Sequence, residues 1–188
     1  MNEEVKMVDF SYLGAITEGL NKDQVLTDLM SEHGKDVWKY ALFLTLNPNS
    51  ADDIMQEVFL KVYEKMYSFR GQASVKTWLF TITRNVVRDQ WKSAWSRKII
   101  LLGTRRSQEI LPSAEQEVMS QLQEQNIWRH VLKLPTKHRE ILLLQIHHEL
   151  TLAEIAAILH ISEGTVKSRL HRARAQMNKR IQEGESLE

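Results

Sequence analysis

The chain has 188 residues, 43% of them apolar, no cysteine and a net charge of +1. That is enough apolar material for packed cores and argues against disorder, while the missing thiols exclude disulfides and thiolate metal sites. The longest apolar runs, such as residues 99–102 and 141–144, are far too short to span a bilayer, and the start carries acids and no apolar block of a signal peptide. A soluble, cytoplasmic protein without membrane insertion is therefore expected. Only seven Gly and three Pro interrupt long stretches rich in Leu, Glu, Lys, Gln and Ala, so the chain reads as all-α.

In chain order, residues 1–21 are polar and weakly patterned. A helical pattern over residues 23–46 stops at Asn47-Pro48-Asn49-Ser50, and Ser50 is expected to cap the next helix. That helix, residues 51–67, has a buried stripe of Met55, Phe59, Val62 and Met66. Asp53, Glu57, Lys61 and Glu64 line another face, with Asp52 and Gln56 beside it. Residues 68–73, which include Gly71, form a tight loop, and Ser74 caps a long helix reaching about residue 98. Gly103 and Pro112 mark a basic linker. Helices are expected over residues 114–133 and, after the break at Leu134-Pro135, over residues 136–147. The acidic residues 183–188 read as a frayed tail.

The C-terminal part carries the sharpest local pattern. Thr151-Leu152-Ala153-Glu154 has the form of a capping box, with Leu152, Ile155, Ala156 and Leu159 following on one face. His160-Ile161 makes a short turn, Ser162 caps the next helix, and Val166, Leu170, Ala173 and Met177 form its buried stripe. This is a helix-turn-helix pattern. The opposite face presents Gly164, Ser168, His171, Arg172 and Ala175, flanked by Lys167, Arg169 and Arg174. Ser168 and Arg172 suit base edges and the flanking cations suit phosphates. The alternative is an ordinary helical hairpin with a solvated basic face; the capping, turn and cationic second helix together favour DNA.

Charge is distributed to match. Residues 84–106 hold seven Arg or Lys against one Asp, a net +6, and residues 163–180 hold six against one Glu, a net +5. Acids concentrate elsewhere, in residues 52–64 and 109–124. Two basic blocks imply two contacts with a polyanion, although basic helical faces are also common as solvated surface.

These residues carry a family resemblance. Leu134-Pro135, Arg139-Glu140-Ile141, Leu152-Ala153-Glu154-Ile155-Ala156 and the run from Ile161 to Arg174 resemble region 4 of the extracytoplasmic-function sigma factors, which recognises the promoter −35 element. The resemblance implies −35 contacts by Thr165, Lys167, Ser168, Arg169, His171, Arg172 and Arg174. The segment Asp52-Asp53-Ile54-Met55-Gln56-Glu57-Val58-Phe59 resembles the part of region 2 that grips the β′ coiled coil of core RNA polymerase, implying contacts by Asp52, Asp53, Gln56, Glu57 and Phe59. Phe69-Arg70-Gly71, Lys76-Thr77-Trp78-Leu79-Phe80 and Thr83 to Asp89 resemble the segment that binds and opens the −10 element. Arg70, Gln72, Ser74, Lys76, Arg84, Asn85, Arg88 and Lys92 would serve it, cations along a backbone path beside a pocket for an unstacked base. Trp78 reads as core. Trp91 and Trp95 fit either the core or a partner contact.

The resemblance implies two small helical domains joined by a linker. An extension over residues 1–24 precedes region 2 at 25–98; a linker at 99–114 leads to region 4 at 115–182, and a tail follows at 183–188. The partners implied are core RNA polymerase, through its β′ coiled coil and β subunit, promoter DNA and an anti-sigma protein. No catalytic residue, cofactor or metal is expected. His148-Glu149 begins like a zincin motif, but Leu152 stands where the second His is required. The rivals are a helix-turn-helix regulator independent of polymerase and a purely protein-binding helical adaptor. A regulator has no use for an acidic docking helix followed by a basic, aromatic strand-opening helix.

Overall fold

A computed structural model describes residues 21–100 and 130–185, with side chains placed for 21–93 and 130–182. Among the described residues every regular element is helical. Residues 1–20 of the extension, the linker from residue 101, residues 114–129 of the helix expected over 114–133 and the Trp95 side chain lie outside them.

Helix α1, Lys22–Thr45, starts where Asn21 accepts from the amides of Asp23 and Gln24. It ends at Leu46, whose left-handed backbone (φ 53°) turns the chain and returns its amide to the Leu42 carbonyl at 2.7 Å. Helix α2, Pro48–Lys65, is capped by Asn47 rather than by Ser50. Asn47 Oδ1 accepts from the Ser50 amide at 3.0 Å. Pro48 makes the difference: it lacks an amide hydrogen, has a helical φ, and so sits at the first helical position, pulling the start three residues earlier. A 3-10 turn, Met66–Ser68, closes α2. Gly71 then adopts φ 68°, which only glycine enters freely, before α3, Val75–Ile100. Ser74 Oγ caps α3 by accepting from the Thr77 amide at 3.1 Å.

The expected helix from residue 136 is two elements. Helix α4, Thr136–Leu142, passes directly into a π-helical turn, Leu143–His147. The wider turn, followed by Glu149 at φ 55°, swings the chain into α5, Leu152–Leu159. The capping box at Thr151 and Glu154 is formed in both directions. His160, with φ 51°, ends α5 and leads into α6, Glu163–Glu185. The helix therefore runs into the segment expected to fray.

Helices α1, α2 and α3 form one three-helix unit around Leu29, Val37, Ile54, Val58, Val62, Leu79 and Val86, all essentially without solvent exposure. The α4–α6 unit encloses Ile141, Ile155, Ile158 and Val166. The two units are not merely tethered: α3 packs on α5 and α1 on α4, and both sets of apolar residues join in one buried cluster.

Replacing Asn47 by Ala should destabilise the protein by about 1 kcal/mol, the usual loss for an N-cap. Ser50→Ala should leave the urea midpoint nearly unchanged, since the Ser50 side chain does not cap α2.

Candidate nucleic-acid and polymerase interfaces

The helix-turn-helix is built from its own caps. The amides of His160 and Ile161 return to carbonyls of the last turn of α5, and Ser162 Oγ accepts from the Thr165 amide at 3.2 Å. Val166, Leu170 and Ala173 are buried, which turns Lys167, Ser168, His171 and Arg172 to solvent. Arg172 folds back on Ser168, with Nε to its carbonyl and Nη2 to its Oγ, both at 3.2 Å. The pair thus forms one donor-rich spot. Thr165 and Arg169 are half-buried at the edge of this face. Arg174 is held elsewhere: its Nη2 donates to Gln145 Oε1 at 2.8 Å, tying α6 to the π-helical turn.

On α2 the exposed face carries Asp53, Gln56, half-buried Glu57 and Leu60, spaced as one helical stripe. Asp52 lies beside it and accepts from the Trp38 indole at 2.7 Å. Glu57 pairs with Lys61 at 3.2 Å. Phe59 is a correction: it is 3% exposed and part of the core, so it supports this face from beneath and presents nothing to a partner. The residue that sequence reasoning missed is Leu60, 66% exposed in the middle of charged and amide groups. Its signal was visible, since Leu60 falls off the stripe of Met55, Phe59, Val62 and Met66.

The residues matched to the −10 segment divide into two groups. Arg70, Gln72, Arg88 and Lys92 are exposed and Asn85 is half-buried. Lys92 pairs within α3 with Asp89 at 3.8 Å, whereas the other group is held by residues of other helices. Lys76 pairs with Asp36 at 3.3 Å. Arg84 Nε donates to Glu140 Oε1 at 2.9 Å, with side chains only 16% and 8% exposed. Ser74 and Thr77 hydroxyls lie 3.1 and 3.0 Å from Glu154 Oε1. Trp78 packs on Phe69 at 4.9 Å at the margin of the core, as its sequence context implied, and Trp91 is 37% exposed.

The meeting of the two units has its own electrostatics. The fully buried Tyr40 donates to Glu140 Oε1 at 2.9 Å. Burial and the neighbouring Glu140 carboxylate hold the Tyr40 hydroxyl well above its ordinary range. Arg139 reaches from α4 to the Leu132 and Leu44 carbonyls at 3.0 and 3.3 Å. Burial lowers its guanidinium to about 10, which leaves it charged at neutral pH. Burial works against ionising Glu154, but bonds from Thr151, Thr77 and Ser74 outweigh it and hold this carboxyl below its usual value. His148 is buried edge-on to Phe80 at 4.5 Å, and its Nε2 finds no hydrogen-bond partner among the described residues. No group of three or more His, Cys, Asp or Glu among the described residues is arranged to hold a metal ion.

The family matches place this arrangement, a three-helix unit with an acidic stripe followed by a basic helix-turn-helix, among transcription-initiation proteins of the sigma-70 type. The Sigma-70 region 2 family matches residues 29–97 and the Sigma-70, region 4 family matches residues 124–177. The chain is 33% identical over 156 residues to the ECF RNA polymerase sigma factor SigL of Mycobacterium tuberculosis, covering 82% of this chain and 88% of the relative. It is 29% identical to the ECF RNA polymerase sigma factor SigW of Bacillus subtilis, covering 83% and 88%. The chain belongs to the extracytoplasmic-function RNA polymerase sigma factors. Its fold is that of CnrH, solved with the cytosolic domain of CnrY, with a TM-score of 0.66 and 23% identity over 92% of this chain and 96% of that one. RpoE of Bartonella quintana, solved with the anti-sigma factor NepR, gives the same TM-score and identity over 86% and 98%.

His148 makes stability depend on acid. Burial, with Lys76, His147 and Lys39 nearby, outweighs the attraction of Asp36 and lowers its imidazole from the ordinary 6.5 to about 3. A depressed folded value means that the unfolded chain takes up the proton first. The contribution is complete above about pH 6.5 and is lost as the pH falls towards about 3. Urea unfolding of His148→Phe from pH 7 to pH 4 should therefore show a shallower loss of stability than the parent.

Proposed function

We propose that this sigma factor divides promoter recognition between its two helical units. The α2 face of Asp52, Asp53, Gln56, Glu57 and Leu60 docks on the β′ coiled coil of core RNA polymerase. The loop with Arg70, Gln72 and Ser74, together with Lys76, Arg84, Asn85, Arg88 and Lys92, takes the opened −10 strand. Helix α6 enters the major groove at the −35 element, with Ser168, His171 and Arg172 towards bases and Thr165, Lys167 and Arg169 towards the edges of the groove and its phosphates. Region 2 extends over residues 25–98 and region 4 over 115–182, the linker setting the spacing at which both DNA contacts are made. The β subunit and an anti-sigma protein complete the set of partners. The protein works in the cytoplasm and carries no catalytic residues; the chemistry of RNA synthesis stays with the polymerase.

The observation that carries this reading is the sidedness of α6. Its apolar stripe is buried against α4 and α5, and the opposite side offers donors and cations to solvent. A groove-reading helix needs this geometry. Steady binding energy comes from phosphate contacts and sequence preference from base contacts.

In vitro transcription tests the whole reading. Adding the protein to core polymerase and genomic DNA should create new transcript 5′ ends that share two upstream elements at a fixed spacing. Salt-sensitive duplex binding without new starts would instead indicate a regulator independent of polymerase. Arg172→Ala should weaken binding to the upstream element by ~1–3 kcal/mol and relax sequence preference there. Glu57→Lys should reduce holoenzyme assembly, measured by co-elution with core polymerase, while leaving duplex binding intact.

A further inference from the structure

Two carboxylates of the α4–α6 unit occupy polar groups of region 2 that the proposed function assigns to DNA or that adjoin them. Glu140 takes the Arg84 guanidinium at 2.9 Å, and Glu154 takes the Ser74 and Thr77 hydroxyls at 3.1 and 3.0 Å. Both acceptors are anionic oxygens, chemically close to a phosphodiester. Tyr40 adds a further donor to the Glu140 oxygen already bonded to Arg84. The α6 groups are treated differently: Lys167, Ser168, His171 and Arg172 remain exposed in the same arrangement.

We propose that Glu140 and Glu154 act as an internal substitute for promoter DNA, latching region 4 onto region 2 so that the free chain masks part of its −10 face while leaving its −35 helix open. The inference rests on the assignment of Arg84 and Ser74 to the −10 strand. A latch of this kind is reversible. The joined polar and charged groups each regain a partner from water or a phosphate when the units separate, while the contact of Phe80 and Tyr40 with His148 favours the closed form. DNA reaches the masked groups only in the open form, so the apparent affinity for a single strand is the intrinsic one multiplied by the open fraction. Partners that engage only the open form shift the same equilibrium.

The chain has no native cysteine, so Glu64→Cys on α2 and Asn178→Cys on α6 accept spin labels specifically. Pulsed EPR on the full-length labelled chain should show mainly one short distance. Glu140→Gln with Glu154→Gln removes both charges while Gln still suits the capping box. Its distance distribution should move to longer values. Affinity for a fluorescent 20-nucleotide single strand should rise by the same factor as the open fraction, with duplex binding unchanged. Tyr40→Phe with Thr77→Val, which alters the latch from the region 2 side, should act in the same direction. Absence of the short distance in the unmodified chain, or opening by both variants without tighter single-strand binding, would overturn the latch as a mask. Arg84→Ala and Arg88→Ala in the opened background separate the two readings. Loss of single-strand binding supports masking of the −10 face. Unchanged binding beside a normal distance shift refutes the −10 assignment, and masking with it, while closure itself stands.

Discussion

The buried Glu140 carboxylate is the point on which the arrangement of the molecule turns. An ionised group removed from water is strongly disfavoured unless its oxygens are hydrogen-bonded and its charge is balanced. Arg84 from α3 supplies the charge and Tyr40 from α1 supplies a neutral donor, both on the same oxygen. One residue of α4 is thereby satisfied only when α1 and α3 are in place. Arg139, its neighbour, repeats the logic with opposite sign. Its guanidinium bonds the Leu132 carbonyl of its own unit and the Leu44 carbonyl, which lies in the last turn of α1. Such a carbonyl has no partner within its own helix. Two adjacent residues thus send opposite charges into the same contact, each needing region 2 for completion.

Apolar packing beside this pair fixes where the units meet. Phe80 and Tyr40 stack at 4.9 Å and receive His148 from the other unit. The π-helical turn and the left-handed Glu149 put His148 there. A regular helix through Leu143–His147 would point these side chains along a different path, since a π turn alters the angular spacing of the residues after it. The same turn carries Gln145, which holds Arg174 of α6. The junction between α4 and α5 therefore positions both a contact with region 2 and Arg174 of α6.

Helix α6 depends on region 2 far less than α5 does, since α5 packs on α3 and α6 packs on α4 and α5. The left-handed His160 and the Ser162 cap are local, and the stripe of Val166, Leu170 and Ala173 is buried within its own unit. This independence explains why Lys167, Ser168, His171 and Arg172 of α6 stay exposed while parts of the α3 face are covered.

Local signals made much of this molecule legible from its residues alone. Helix content, the capping box at Thr151, the turn at His160-Ile161, the buried stripes of α2 and α6 and the sidedness of α6 follow from 3.6-residue periodicity and short-range caps. Ser50 is not the cap its sequence context suggests, because the neighbouring Asn47-Pro48 competes for the same role and wins through the fixed φ of proline. Phe59 belongs to the stripe that buries it, and Leu60 stands out only once its spacing is set against that stripe. Tertiary structure alone decided that Arg84 and Ser74 face Glu140 and Glu154, across 56 and 80 residues of chain. Periodicity places a side chain on a face of its helix; which distant carboxylate meets that face depends on how whole helices pack, and no local pattern encodes it.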